Sequence, residues 1–284
     1  MAISLVTNVE TVAVLRNLDK TQRGLSSNIG RLSSGLRINK AGDDAAGLAI
    51  SETLKAQIRG LAQAQRNAQD GVSMIQVAEG ALNEIHGALS RMRELAVQSA
   101  NATQDDTTRG YLNNEFQALV SEIDRIGNVT DFNGRKLLNT TASFAFQVGV
   151  FACTAENQIS VTVDDVNVSS IGTTTYRIGS TSISHASGTD SGALGSLESI
   201  DAAIQDVSTA RASIGAAQNR LVIAIDNVAS QRENLMASNS RIRDVDISYE
   251  TSEFTRNQIL NQAGVSVLAQ ANQLPQVGLS LLRG

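Results

Sequence analysis

Aromatic residues are scarce in this chain. They make up 3% of 284 residues, with no tryptophan and no Phe or Tyr before Tyr111. Compact enzymes fill their cores with more ring volume than this, so the composition argues for a rod. Proline occurs once, at Pro275, so nothing breaks a helix over most of the length. The single cysteine, Cys153, excludes an intramolecular disulfide framework and a thiolate metal site. Two histidines, His86 and His185, cannot make a zinc site by themselves. His86 reads as a surface residue and Cys153 as a small, at least half-buried one. No apolar run is long enough for a transmembrane helix, so no membrane insertion is expected. The first residues show no charged segment followed by an apolar one, so no cleaved secretory signal is read there.

Motifs of chemistry are missing as well. There is no phosphate-binding glycine loop, nucleophile elbow or His-Glu-x-x-His. Asp43/Asp44 and Asp164/Asp165 are adjacent pairs whose side chains point apart, so they read as caps or solvated surface. No catalytic, cofactor or metal residue is named, and no enzyme is expected. The net charge of −5 is mild but uneven. Residues 1–66 carry nine Lys/Arg against five Asp/Glu, and residues 67–130 four against nine. The basic residues stand singly and no aromatic lies among them for base stacking, so nucleic acid is not an expected partner.

What the chain does have is heptads. Ile200, Val207, Ile214, Leu221, Val228, Leu235 and Ile242 stand seven apart, with Ala203, Ala210, Ala217 and Ala224 offset by three. An apolar residue at one seam and alanine at the other predicts a long helix packed closely against other helices. A second long helix is predicted from about residue 44 to Ala100, with Asp43 or Asp44 capping its start. Its stripe is Leu61, Ala68, Ile75, Leu82, Leu89 and Ala96, with Ala64, Ala78, Ile85 and Met92 beside it. At 1.5 Å per residue it would be roughly 85 Å long. A third helix carries Leu112, Phe116, Leu119, Ile123 and Ile126 and ends at Gly127.

The two ends of the chain match in kind. Leu18, Leu25 and Leu32 are seven apart in residues 1–38, with Leu15, Ile29 and Leu36 on a second seam. Leu260, Val267, Leu274 and Leu281 are spaced alike near the other end. These stripes are narrow, so both segments should be helices that are only marginally ordered without a partner. Between the helices, residues 140–198 turn to Ser, Thr, Gly and β-branched residues. Phe144, Phe146, Val148 and Val150 alternate, as do Ile159, Val161 and Val163, which predicts a β-hairpin. Asp131-Phe132-Asn133-Gly134 reads as a turn and residues 185–192 as an exposed loop. The fold class is thus mainly α: a long antiparallel helical bundle or coiled coil with a small β-hairpin region and both termini paired at one end.

Several runs then resemble the bacterial flagellins. The longest is Arg31-Leu-Ser-Ser-Gly-Leu-Arg-Ile-Asn-Lys-Ala-Gly-Asp-Asp-Ala-Ala-Gly-Leu-Ala-Ile50. It is followed in order by Gln65-Arg-Asn-Ala68, Glu79-Gly-Ala-Leu-Asn-Glu-Ile85, Arg93-Glu-Leu-Ala-Val-Gln98 and Phe132-Asn-Gly134. Arg211-Ala-Ser-Ile-Gly-Ala-Ala-Gln-Asn-Arg-Leu221, Ser240-Arg-Ile-Arg-Asp-Val-Asp246 and Leu279-Ser-Leu-Leu-Arg283 fit the family's other end. The resemblance implies a terminal helical domain at 1–43 and 245–284, a helical rod domain at 44–140 and 198–244, and a β-hairpin with a short variable surface region at 141–197.

It further implies a near-minimal subunit of an extracellular filament for motility, exported unfolded through the flagellar channel. Leu18, Leu25, Leu32, Leu260, Val267, Leu274 and Leu281 would pack subunits together. Leu61, Ile75, Leu82, Leu89 and the stripe from Ile200 to Ile242 would form the rod core. Implied partners are further copies of the chain, an export chaperone and the export apparatus, and the filament cap and hook-filament junction proteins. A Toll-like receptor of a host would meet Arg91, Leu95 and Glu115. The alternative within this reading is a hook-filament junction or other axial protein. In other classes stand a signalling bundle and an enzyme hidden in the middle segment.

Overall fold

A computed structural model of the chain describes residues 9–152, 154–172, 177–184 and 193–283. Cys153, His185 and the loop expected at 185–192 lie outside these residues. Along the chain come α1 (Val9–Ser34), α2 (Ala45–Ser99), α3 (Asp106–Val129), β1 (Asp131–Phe132), β2 (Arg135–Lys136) and β3 (Ala142–Gln147). The one-turn α4 (Thr154–Asn157), β4 (Gln158–Val163), α5 (Ala193–Arg243) and α6 (Ile247–Arg283) follow. The fold is mainly α, with two small antiparallel strand pairs. The chain divides into two compact units, one of Arg59–Arg232 and one of Met1–Ile58 with Glu233–Gly284.

The larger unit holds the apolar core. From α2 it buries Leu61, Ala64, Ala68, Ile75, Ala78, Leu82, Ile85, Leu89, Met92 and Ala96. These are both seams of the α2 heptad, on one face of a helix about 80 Å long. Opposite them α5 buries Ile200, Ala203, Val207, Ala210, Ile214, Ala217, Leu221 and Val228. A Cβ added at Gly71 of α2 would stand 3.2 Å from the side chain of Leu221, and Arg93 of α2 bonds Asp201 of α5 at 2.7 Å. As α2 ascends from 71 to 93, α5 descends from 221 to 201, so the two run antiparallel. The third helix, α3, adds Phe116, Val120 and Ile123 to the same cluster and runs on to Val129, two residues past the expected end.

Asp105 starts α3 by accepting the Thr108 amide at 3.0 Å. Bonds from the side chain and backbone of Thr108 hold its carboxyl below the usual range. The last carbonyls of α2 are met by Arg109, whose side chain is 8% exposed. Its guanidinium donates to Ser99 O at 3.1 Å, a carbonyl that helix geometry leaves open, and to Asn101 O in the turn beyond at 3.2 Å.

The strands β3 and β4 pair with Phe144 opposite Val161. Alternation puts Phe144, Ile159, Val161 and Val163 into the core and Ser143, Ser160 and Thr162 outward. Val148 is buried and Val150 half-buried, but both lie beyond the end of β3, which is shorter than their alternation suggested. Among the described residues between β4 and α5, only Ile178–Ser180 form a short 3-10 turn, yet Val166, Ile171, Ile178 and Ile183 join the core cluster. His86 is half-buried, with a buried Nδ1 that lacks a partner, rather than the surface residue expected.

Candidate assembly surface

The smaller unit is built by α1, α6, the first turns of α2 and the last turns of α5. Helix α1 ends where Gly35, at φ 70°, donates its amide to Arg31 O at 2.8 Å. Only a residue without Cβ takes that left-handed position readily. The chain then pairs with the start of the return segment. Leu36 and Asp244 form an antiparallel bridge, Arg37 N donates to Arg243 O at 2.7 Å, and Val245 N donates to Gly35 O at 3.1 Å. The Arg37 guanidinium adds a bond to Ile242 O at 2.7 Å. Asp43 turns the loop by accepting the Lys40 amide at 2.9 Å and the Asn39 amide at 3.0 Å. Those bonds, ahead of nearby Arg31 and Lys40, hold its carboxyl below the usual range. Asp44 caps α2 by accepting the Gly47 amide at 2.9 Å.

From this joint α1 and α6 run antiparallel. Going back along α1, Arg31 faces Glu250 at 3.7 Å and a Cβ on Gly24 would stand 3.1 Å from Asn257. Beyond these, Asn261 bonds Gln22 at 2.7 Å, and a Cβ on Gly264 would stand 3.2 Å from Leu18. The contact is polar to an unusual degree. Among described side chains α1 buries only Asn28, and α6 buries Glu250 and Ala271. In its flipped orientation the Asn28 amide joins Gly24 O to the Phe254 amide. Leu18, Leu25 and Leu32 are half-buried.

The apolar residues left over face outward. Val9, Val12, Leu15 and Ile29 on α1 are exposed, as are Ile247, Tyr249, Ile259, Leu260, Val265 and Val267 on α6. Leu15 and Ile29 therefore do not form a second seam within the chain. The one stripe that α6 covers is used up by Leu18, Leu25 and Leu32. A shallow groove on α6, lined by Thr251, Ser252, Thr255, Arg256, Ile259 and Leu260, runs through the exposed set. The backbones of Leu274 and Leu281 continue α6, and their side chains lie outside the described part. Leu235 and Ile242, the last two positions of the α5 stripe, are half-buried in this unit. Beside them Arg243 bonds Ser51 and Glu52. The bond from Arg243, followed by that from Lys55, holds the Glu52 carboxyl below its usual value.

The residues that the resemblance assigned to a receptor separate by depth. Arg91 bonds Glu94 and Glu115, each at 2.9 Å, and these two partners raise its already high pKa, Glu94 foremost. All three are exposed. Leu95 is 1% exposed and belongs to the core of the larger unit, because it continues the α2 face that packs on α3 and α5. Its side chain is not part of the surface that carries Arg91 and Glu115.

Among the described residues no group of three or more His, Cys, Asp or Glu converges, and no helix is long and apolar enough to cross a membrane. Of the nineteen large apolar residues exposed among the described residues, ten stand on the paired α1 and α6, and the other nine are spread over α2, α3, α5 and the segment after β3.

Comparison with known proteins agrees with the helical halves of the chain. Residues 5–143 match the bacterial flagellin N-terminal helical region, and residues 197–282 match the bacterial flagellin C-terminal helical region. A flagellin of Halalkalibacterium halodurans is 50% identical over 94% of this chain and 93% of its own. A flagellin of Bacillus subtilis is 45% identical over 97% of this chain and 98% of its own. A flagellar filament 33 kDa core protein of Treponema phagedenis is 44% identical over 97% of this chain and 98% of its own.

Proposed function

The chain belongs to the bacterial flagellin family, and we propose that it is a structural subunit that polymerises into the extracellular flagellar filament. It is a structural protein, not an enzyme. The observation that carries the mechanism is the outward-facing apolar set on α1 and α6, from Val9 to Ile29 and from Ile247 to Val267. Ten large apolar residues exposed on two paired helices form the kind of surface that proteins bury against a partner. If that partner is another copy in a head-to-tail contact that does not close, the product is an open helical filament.

In this reading residues 1–43 and 245–284 form the inner assembly domain. Residues 44–140 and 198–244 form the supporting rod, and 141–197 its hairpin and surface region. Leu260, Val267, Leu274 and Leu281 pack against neighbouring copies, while Leu18, Leu25 and Leu32 tie α1 to α6. The poor internal core of the terminal pair supports folding on assembly, and a chain that stays open there suits export through a channel. An export chaperone and the export apparatus would act before assembly, and cap and hook-filament junction proteins at the filament's ends. Removing residues 275–284 should leave a folded, soluble larger unit that forms no filaments on electron microscopy grids. Filaments from the shortened chain would refute the role given to α6.

A host Toll-like receptor is a second partner of this reading, supported by the exposed Arg91–Glu115 pair. Arg91→Ala should lower the signal of a receptor reporter assay while leaving thermal unfolding unchanged. A full signal from that variant would remove Arg91 from the contact.

A further inference from the structure

Asn133 and Gly134 form the two-residue loop between β1 and β2, in which Asp131 pairs with Lys136 and Phe132 with Arg135. Both loop residues have positive φ, 52° and 77°, as a type I′ hairpin turn requires. Both are exposed, and the Gly134 amide donates to Asp131 Oδ2 at 3.2 Å. The chain contains no other Asn-Gly step. The chemistry of this step is particular. In Asn-Gly the glycine amide nitrogen can attack the asparagine side-chain carbonyl, because no Cβ shields it. The bond from Gly134 N to Asn133 Cγ forms as the Gly134 amide proton passes to solvent base. The bond from Cγ to Nδ2 breaks, and the nitrogen leaves as ammonia after taking up a proton. Water then opens the five-membered imide at either carbonyl, giving aspartate or an isoaspartate whose main chain runs through the β-carbon. No oxidant or reductant is needed, and water is the sole co-reactant.

The fold decides when this can occur. Ring closure needs the Asn133 side chain and the Gly134 nitrogen on the same side of the Cα–C bond. In the left-handed region ψ lies near about +47°, which sets them on nearly opposite sides. The bond to Asp131 also holds the Gly134 amide proton in place. We infer that Asn133–Gly134 is a self-modification site gated by the fold, spared while the β1–β2 turn is closed and hydrolysed with loss of ammonia while it is open. The modification is not neutral once made. Isoaspartate lengthens the main chain within a two-residue loop, and either product puts a second carboxylate beside Asp131. A chain that gains isoaspartate while unfolded therefore returns to a hairpin that no longer fits its turn, whereas the aspartate product keeps an Asp-Gly pair that the turn accepts.

The test is peptide mass spectrometry of the full chain held at mildly alkaline pH, folded in buffer and unfolded in guanidinium chloride. The share of Asn133 converted from amide to acid is followed over time, with circular dichroism reporting the fold. Conversion should be at least about tenfold slower in the folded chain, as expected when reaction waits on local opening. Asp131→Ala should speed conversion in the folded chain, and Gly134→Ala should slow it in the unfolded one, where no fold is at stake. Equal rates in the folded and unfolded chains would overturn the gate. Absence of conversion at Asn133 in the unfolded chain would overturn the site itself.

Discussion

Arg243 shows how much a single side chain can join. Its guanidinium meets Ser51 and Glu52 of α2, while its carbonyl accepts from Arg37. The pairing lowers the Glu52 carboxyl below its ordinary value of 4.5. A carboxyl whose folded value is depressed stabilises the fold fully above its unfolded value. That contribution is lost as pH falls through the folded one. Glu52 is exposed, so the effect is modest and screened by salt. Titration of the Glu52 carboxyl by NMR should run below 4.5 in the intact chain and move back up toward it in Arg243→Met. An unmoved curve would show that Arg243 is not the cause. Glu250 is a different case, a carboxylate 4% exposed at its side chain with Arg31 at 3.7 Å. With the Arg31 side chain 32% exposed, the pair is screened by water and is a weak source of stability.

Among the elements, α2 and α5 were the most legible in the sequence. Their heptads hold side chains of one type on one face, and that face is the one buried. The same reasoning named β3 and β4 from alternation and overran β3 by three residues, since alternation continues where pairing has stopped. It could not find Ile171 or Ile183, because a residue in an irregular segment has no period to betray its side, nor Arg109, whose charge marks it for the surface although α3 buries it. It also missed the Leu36–Asp244 bridge, which joins residues far apart in sequence through backbone groups alone. On α1 it read two seams where the structure half-buries one, because a narrow stripe does not say whether its partner is in the same chain. The seam that was legible is also testable. Leu221 is 0% exposed, so Leu221→Asp would bury a charge that has no partner among apolar neighbours. The larger unit should then lose its cooperative thermal transition. An unchanged melting curve would contradict the packing of α5 on α2.

As a whole the molecule divides its labour between two units of unlike composition. One carries nearly all of the apolar core, and its long helices bury both of their seams. The other pairs α1 with α6 through Asn28, Asn257, Asn261, Gln22 and an ion pair, and turns its larger apolar side chains outward. Such a pair gains little by folding alone and much by meeting further copies, which gives polymerisation its driving force. The scarcity of aromatics follows from the same division, since Ala, Leu, Ile and Val suit close helix packing and a two-seam core. Polymerisation of this kind buries the terminal pair between subunits. Hydrogen exchange read by mass spectrometry on free subunits and on polymer measures that directly. Amides of 9–34 and 247–283 should exchange fast in the free chain and slowly in the polymer, while those of α2 and α5 within 59–232 are slow in both. Equal protection of the terminal helices in the two states would contradict it.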